Sequence, residues 1–394
     1  MPATTSEAAP PVPKASRRRV SRWHRPFWWL NGLAVLALLL AYASARISPT
    51  VFWPLALFGT GYPFILLINL FFLLWWALFR RKRMLPSLIA ILLGWGHVRE
   101  QVQLMGHDGM PADARTPMRV MSWNTRLFDL YNWSHNKETR DKMLASLRTV
   151  QPDILCVQEF IHTRDPKHFH MSPALLQETI GTLNYHDEYT AHARLEHHFG
   201  IATFSKYPII KRGSIHFPDD LNNLCIWSDI VVGEDTLRVY NGHLASLRFG
   251  DLDYQFMKNI EDGGGRDSIA SAGPRILGRM KNAFIRRATE METIVRHMRK
   301  SPYPVAWCGD MNDTPVSYSY HLLRGVGLTD AFVESGKGFG HTYIGSFPRF
   351  RIDHILHADG LVTWDFRTLQ EELSDHRAIV CDMAFTRPSA QDER

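Results

Sequence analysis

Negative charge is nearly missing from the N-terminal part of this 394-residue chain. Up to Arg83 only Glu7 is acidic, against eleven Lys and Arg, a net of +10. The whole chain carries +6, so residues 84–394 carry −4. That balance argues against a strongly basic duplex-binding surface beyond Arg83, because nonspecific nucleic-acid affinity comes mainly from phosphate neutralisation. It leaves room for a local basic groove. Cysteine is scarce as well: Cys156, Cys225, Cys308 and Cys381 are the only four, and none is spaced as a metal or redox motif. Cys156, Cys308 and Cys381 stand inside apolar β-type runs and read as small buried hydrophobes. No Ser or Cys sits in a constellation for nucleophilic catalysis, and no internal repeat is visible.

Apolar sequence, by contrast, is plentiful. Residues 27–44 and 51–79 are each long enough to cross a bilayer as a helix. A third run, 84–98, is shorter and holds Pro86, Gly94 and His97. A buried core helix is the alternative for each, and it weighs most for the third. No small-residue cleavage pattern follows the first run, so a retained anchor is expected rather than a secretory signal. Basic clusters at 14–25 and 80–83 flank the first two runs, and only Arg46 stands between them. The positive-inside rule then places both clusters in the cytoplasm and makes 27–79 a helical hairpin. Residues 88–93 are apolar on every face and lack the charged stripe of an interfacial helix. The third run is therefore expected to span, with Trp95 at the outer boundary and the rest of the chain outside the cytoplasmic membrane. If that run only lay in the interface, the rest would stay inside.

Beyond a short Gly/Pro-containing linker, strands and helices are both expected. Residues 119–123, 154–157, 201–205, 226–232, 237–240, 305–308, 352–356 and 378–385 read as strands. Met143, Leu144, Leu147 and Val150 recur at helical spacing, as do Phe284, Ala288, Met291, Ile294 and Val295, each set forming a core-facing stripe. Consecutive strands between Ile201 and Tyr240 disfavour a purely parallel sheet. Residues 249–274, with Gly263, Gly264 and Gly265, form a long turn-rich stretch that reads as a flap or as disorder.

Polar motifs stand at the edges of these apolar runs. They are Ser122-Trp123-Asn124, Gln158-Glu159, Phe199-Gly200-Ile201-Ala202 with Ser205-Lys206, Asn241-Gly242-His243, Gly309-Asp310-Met311-Asn312-Asp313, Arg351-Ile352-Asp353 and Ser374-Asp375-His376. Polar residues at strand ends converge on one pocket when the loops after the strands hold them toward a ligand. Carboxylate oxygens suit a hard cation, and amides and imidazoles suit the charge that develops on a phosphoryl group. Singly each motif has a plainer reading: a strand-end ion pair for Gln158-Glu159, a turn for Asn241-Gly242-His243, a helix cap for the Gly309 motif, a surface ion pair for Arg349 and Arg351.

The order and combination of Asn124, Glu159, His243, Asp310 with Asn312, Asp353 and then Asp375-His376 resemble the endonuclease/exonuclease/phosphatase superfamily from about Met118 to Phe385. The resemblance implies an α/β fold, a four-layer sandwich of two packed mixed β-sheets flanked by helices, here preceded by transmembrane helices. Together with the apolar runs, which the resemblance does not cover, it divides the chain into a basic tail (1–26), a membrane region of two to three transmembrane helices (27–98), a linker (99–117), a catalytic domain (118–386) and a C-terminal tail (387–394). It further implies a Mg2+-dependent phosphoesterase, with Mn2+ as a substitute, acting on a phosphate ester. Glu159 would be the principal metal ligand, with Asn124 beside it and Asp375 completing the metal environment. Asp310 would be the base or water-orienting carboxylate and Asn312 would hold the nucleophile or a phosphate oxygen. His243 and His376 would donate to nonbridging oxygens, with Asp353 orienting His376. Arg351 is a candidate substrate contact. Arg126 stands two residues after Asn124, where the abasic-site nucleases of the superfamily have Asp, and His243 replaces their Tyr-rich motif. Both departures speak against abasic-site repair. The expected partners are the phosphate ester and, through the N-terminal helices, a lipid bilayer. A nuclease acting on DNA or RNA and a non-catalytic tethered binding protein are the rival readings.

Overall fold

A computed structural model describes residues 24–163, 169–194, 197–217, 220–247, 266–345 and 348–386. The N-terminal region holds α1 (His24–Ser44), α2 (Pro49–Phe52), α3 (Pro54–Thr60), α4 (Tyr62–Phe79), α5 (Leu85–Leu93) and α6 (Trp95–Gln101). Then come β1 (Ala114–Asn124), α7 (Thr139–Val150), β2 (Ile154–Thr163), α8 (Pro173–Ile180), β3 (Asn184–Arg194), β4 (His197–Ser205), β5 (Ile209–Phe217), β6 (Asp220–Val232) and β7 (Asp235–His243). The chain continues with α9 (Arg266–Met298), β8 (Val305–Asp310), α10 (Tyr318–Gly325), β9 (Thr329–Asp330), α11 (Ala331–Ser335), β10 (Asp353–His357), β11 (Leu361–Thr368) and β12 (Ile379–Thr386).

The strands form two six-stranded sheets, in the orders β11-β12-β1-β2-β4-β3 and β5-β6-β7-β8-β10-β9. Among the described pairings only β1 with β2 and β7 with β8 are parallel, so both sheets are mixed. Side chains alternate across a strand, and here both faces are covered. Val120, Cys156, Val239, Cys308, Ile355 and Cys381 meet between the sheets. On the outer face of the first sheet, Met121, Leu155 and Val157 pack against Met143, Leu144 and Leu147 of α7. On the outer face of the second, Tyr240, Trp307 and Leu356 pack against Met291, Ile294 and Val295 of α9 and Tyr320 and Leu323 of α10. Truncating one such residue, Leu147 for instance, removes about 2–5 kcal/mol. The result is the four-layer sandwich expected from the sequence, with all four cysteines free and buried.

Some elements differ from the expectation. All eight expected strands are present, but β3, β5, β9 and β11 add to them. The run 51–79 is not one helix: Pro54 and Pro63 each start a new helix, and Gly61 closes α3 between them. That follows from proline's missing N–H, which fits the first turn of a helix and interrupts its interior. The run 84–98 splits at Gly94 into helices of nine and seven residues, each shorter than a span. The linker is shorter than 99–117, because β1 begins at Ala114. Most of the turn-rich stretch 249–274 lies outside the described residues.

Two helical segments, Arg25–Ser44 and Tyr62–Phe79, are long and apolar enough to cross a membrane. Their apolar side chains largely face outward: Leu33, Leu36, Leu67, Leu74 and Leu78 are all exposed. Polar groups turn inward instead. Asn31 Nδ2 donates to Ser87 Oγ at 2.6 Å, Ser87 Oγ donates to Asn69 Oδ1 at 3.3 Å, and Asn69 Nδ2 donates to Ala34 O at 2.9 Å, tying α1, α4 and α5 together. At one end of this bundle the Arg83 guanidinium lies over Trp28 and Trp76. At the other, Ser44 Oγ lies 3.2 Å from Val316 O, and Gly59 packs so closely that a Cβ there would meet Val316 O at 2.3 Å. The sandwich therefore docks on the end opposite Arg83.

Candidate active site

Strand register assembles the site. In the parallel pair β7 and β8, His243 stands opposite Asp310, and in the antiparallel pair β8 and β10, Asp310 stands opposite Asp353. Asn124 ends β1 opposite Gln158 of β2. Close backbone approach sustains this alignment: Gly242 faces Gly309, where a Cβ would meet Gly242 O at 2.1 Å, and a Cβ on Gly242 would meet Trp307 at 2.2 Å. The β2–β4 ladder slips between Val157 and Phe160. Glu159 sits in that bulge with φ 48°, a left-handed conformation that re-aims its side chain out of the strand alternation.

Asp310 is the focus of the site. Its Oδ1 accepts from the Asn312 backbone N–H at 2.7 Å. Its Oδ2 accepts from Asn124 Nδ2 at 3.0 Å and from Asn312 Nδ2 at 3.4 Å. His376 Nε2 lies 3.7 Å from the same oxygen and His243 Nε2 3.8 Å. His243 Nε2 is also 3.9 Å from Glu159 Oε1, to which Asn124 Nδ2 donates at 3.2 Å. Behind His376, Asp353 Oδ2 lies 2.8 Å from Nδ1, and Thr342 Oγ1 accepts from the Asp353 backbone N–H at 3.1 Å.

Burial and like charge set the protonation of this group. Burial, and next the Asp353 carboxylate, push the Asp310 carboxyl up to about 6. Burial opposes charge on His376 and Asp353 too, but each overrides it in the other. The Asp353 and Asp310 carboxylates hold the imidazole well above its ordinary value, and the imidazolium holds Asp353 below the usual carboxylate range.

The donor set fits a hard divalent cation. Glu159 offers a carboxylate to solvent, a third of it exposed, beside the Asp310 carboxylate. Asp353 Oδ1 is buried without a hydrogen-bond partner, while the charged His376, grouped with Asp310 and Asp353, faces those carboxylates as a cation and not as a metal donor. Asn124 presents its amide nitrogen to the carboxylates, while its Oδ1 accepts from the Arg126 backbone N–H at 3.1 Å. Asp375 is held to one side: its Oδ2 lies 3.4 Å from Arg126 Nε, and the Arg126 guanidinium rests on Trp133.

Eight of the nine candidate residues thus come together, and Arg351 does not. Its side chain is buried, paired with Asp330 Oδ2 at 2.8 Å and laid over Phe332. Nη2 also donates to Glu100 O at 2.8 Å. Arg351 is thus turned into the fold, away from the residues that gather around Asp310. Other motif members have structural duties as well. Gln158 Nε2 donates to Asn241 Oδ1 at 2.7 Å, and Asn241 Nδ2 donates to Ala202 O at 2.9 Å, so this buried amide pair ties the sheets together beneath the site. Asp313 Oδ2 lies 3.3 Å from Arg287 Nε in the interior. A Cβ at Gly200 would meet Glu188 O at 2.0 Å, and His197 and His198 belong to β4. Sequence reading gave no role to Trp133, Thr342 or Tyr343, whose ring meets His376 edge-on. For Arg126, only its departure from the Asp of abasic-site nucleases stood out.

Comparisons with known proteins bear on both halves of the chain. Residues 24–101 match a family described as a domain of unknown function (DUF8431). No curated protein matches the sequence. Among solved structures, an endonuclease/exonuclease/phosphatase from Beutenbergia cavernae is similar at 15% identity and TM-score 0.50, covering 69% of this chain and 72% of its own. Another from Bacteroides vulgatus is similar at 16% identity and TM-score 0.50, covering 69% of this chain and 100% of its own. Those likenesses show the fold. Residues 121–376 match the endonuclease/exonuclease/phosphatase family, and with that match the chain belongs to this family of metal-dependent hydrolases acting on phosphoester bonds.

Proposed function

We propose that this protein is a membrane-anchored, Mg2+-dependent phosphoesterase that cleaves its substrate by in-line attack of water. The observation that carries this reading is the convergence on Asp310 Oδ2 of Asn124, Asn312, His243 and His376, with Glu159 alongside. A carboxyl at about 6 is mostly ionised at neutral pH and basic enough to orient and deprotonate a water. The Asn312 amide, which also donates to Leu244 O at 2.9 Å, fixes the loop on which that water or a phosphate oxygen would rest. His243, at the end of β7, and His376, in the loop before β12, reach the same point and donate to nonbridging oxygens as charge develops. Asp353 keeps His376 charged for that task. Glu159, with Asn124 and Asp375, would hold Mg2+, which when bound polarises the phosphorus and offsets the developing negative charge. Mn2+ suits the same oxygen donors.

Anchoring is supported by the outward-facing apolar residues of α1 and α4 and by the inward-facing Asn31, Ser87 and Asn69, the reverse of a water-soluble bundle. The docking of the sandwich opposite the Arg80–Arg83 end supports an extracytoplasmic catalytic domain. A nuclease activity remains the rival. The −4 charge of residues 84–394 weighs against polynucleotide over small or lipid-borne esters.

The test is hydrolysis by the full chain in detergent, over a panel of lipid-headgroup, nucleotide, sugar-phosphate and polynucleotide substrates, with Mg2+ and with EDTA. Glu159→Gln should lose Mg2+-dependent turnover by on the order of a thousandfold with its circular dichroism unchanged. Near-normal turnover by that variant overturns the assignment.

A further inference from the structure

A second cluster of metal-ligating side chains lies where the helical bundle meets the sandwich. His97 and Glu100 stand one turn apart on α6, and His321 projects from α10 toward them. His97 Nδ1 lies 2.9 Å from Glu100 Oε2, and His321 Nε2 lies 3.4 Å from the same oxygen. The three donor atoms fall within 4.8 Å of one another. Aromatic rings wall the cluster: Tyr42 stacks on His97 at 5.1 Å, and Tyr62 meets it edge-on at 6.2 Å.

We infer that His97, Glu100 and His321 form a binding site for a transition-metal ion of the zinc type, separate from the catalytic centre, that pins α6 to α10. Three observations carry this. Two imidazoles and a carboxylate are the donor chemistry of zinc rather than of Mg2+, which takes oxygen almost exclusively. Ligand distances of 2.0–2.2 Å in a tetrahedron separate the donors by about 3.3–3.6 Å, so His321 and Glu100 are already spaced as ligands, and His97 Nδ1 would draw back from Glu100 by about half an ångström on coordination. Hydrogen bonding alone leaves the cluster incomplete: His321 Nε2 is buried without a hydrogen bond, although it is the atom that faces Glu100. A buried polar atom left unpaired costs free energy, and coordination removes that cost.

The location gives the ion a task. Glu100 O accepts from Arg351 Nη2, so the same short helix that carries two ligands also grips the segment leading to Asp353. The ion would therefore hold the bundle against the sandwich close to, but not within, the hydrolytic site.

The experiment loads the full chain in detergent with Zn2+, removes loose metal by gel filtration and counts what remains by plasma mass spectrometry. Parent and variants all carry Glu159→Gln, so that the catalytic ion contributes less. The parent should retain about one more equivalent of zinc than His97→Ala or His321→Ala, each of which should bind at that site more than roughly a hundredfold more weakly. With Glu159 restored, His97→Ala and His321→Ala should hydrolyse substrate in Mg2+ at rates near those of the unsubstituted chain, which separates this site from the catalytic reading. Should the alanine variants not fold, His97→Gln and His321→Gln keep a polar side chain of similar reach and are read in the same way. Equal zinc in parent and variants of unchanged circular dichroism, or a parent that holds no tight zinc, overturns the inference.

Discussion

Asp353 Oδ2 lies 2.8 Å from His376 Nδ1, in a place where both side chains are almost fully buried. That contact makes one unit of two residues drawn from different sheets. His376 owes its charge to Asp353, and its far nitrogen faces Asp310. Asp353→Asn should therefore reproduce much of the loss of His376→Ala in kcat, because an imidazole without its carboxylate loses both orientation and charge. Double-mutant kinetics check the pairing. The combined variant should be little worse than the worse single one, and losses that multiply as for independent sites would show that the two do not act together.

The protonation of Asp310 links metal binding to pH. Its folded-state value of about 6 exceeds that of an ordinary carboxylate, so protonation favours the folded state. The stability it contributes is fully present below about pH 4 and is lost as pH rises through about 6. Asp353 runs the other way, contributing above the ordinary carboxylate range and losing that contribution as pH falls through its depressed value. His376 contributes below the ordinary imidazole value and loses its contribution only as pH rises through its raised one. Across neutral pH the pair stays charged while Asp310 repels Asp353. A divalent cation would relieve that repulsion. The rise in Tm produced by Mg2+ should be clearly larger at pH 7.5 than at pH 5, and equal shifts at the two values would count against Asp310 as part of the ion's surroundings.

Arg351 allows a sharp contrast between a structural and a substrate-binding role. Removing it leaves the Asp330 carboxylate buried without its counter-charge, and breaking a buried pair costs about 3–5 kcal/mol. Arg351→Ala should lower the unfolding midpoint markedly while the KM of the folded enzyme holds. A tenfold rise in KM with an unchanged midpoint would return Arg351 to the substrate.

How much of this was legible beforehand follows from where the information sits. Strands such as 305–308 and 237–240 announced themselves because both faces are apolar, and Gly309-Asp310 and Gly242-His243 marked their ends. The convergence of Asn124, Glu159, His243, Asp310, Asn312, Asp353, Asp375 and His376 was readable from their order along the chain. Register was not. Nothing in Gln158-Glu159 announces that the bulge turns Glu159 outward while Gln158 stays inside on Asn241. Arg351 reads as a substrate contact or a surface ion pair because its buried partner, Asp330, is distant in sequence and is brought near only by the pairing of β9 with β10. The run 51–79 looked like one span because hydropathy ignores Pro54 and Pro63, which decide where helices begin.

The side of the membrane is the remaining prediction, and the bundle gives it a physical scale. Arg83 packs on Trp28 near the start of α1, and Ser44, the last residue of α1, touches the sandwich. From Trp28 to Ser44 runs most of the 21-residue helix α1, roughly 24 Å at about 1.5 Å per residue, the larger part of the thickness of a bilayer's hydrocarbon core. Through α5 the chain passes from the Arg83 end, where Met84 packs with Phe27 and Trp75, to Gly94 beside Tyr42. A short helix accomplishes this because it runs beside α1 and α4 and shares their polar interior at Ser87. If the Arg80–Arg83 cluster is cytoplasmic, as the positive-inside rule requires, the sandwich stands on the far side. Alkaline phosphatase fused after Met110 should then be active and green fluorescent protein fused there dark. The reverse pattern would mean two spans, α1 and α4, and a cytoplasmic enzyme.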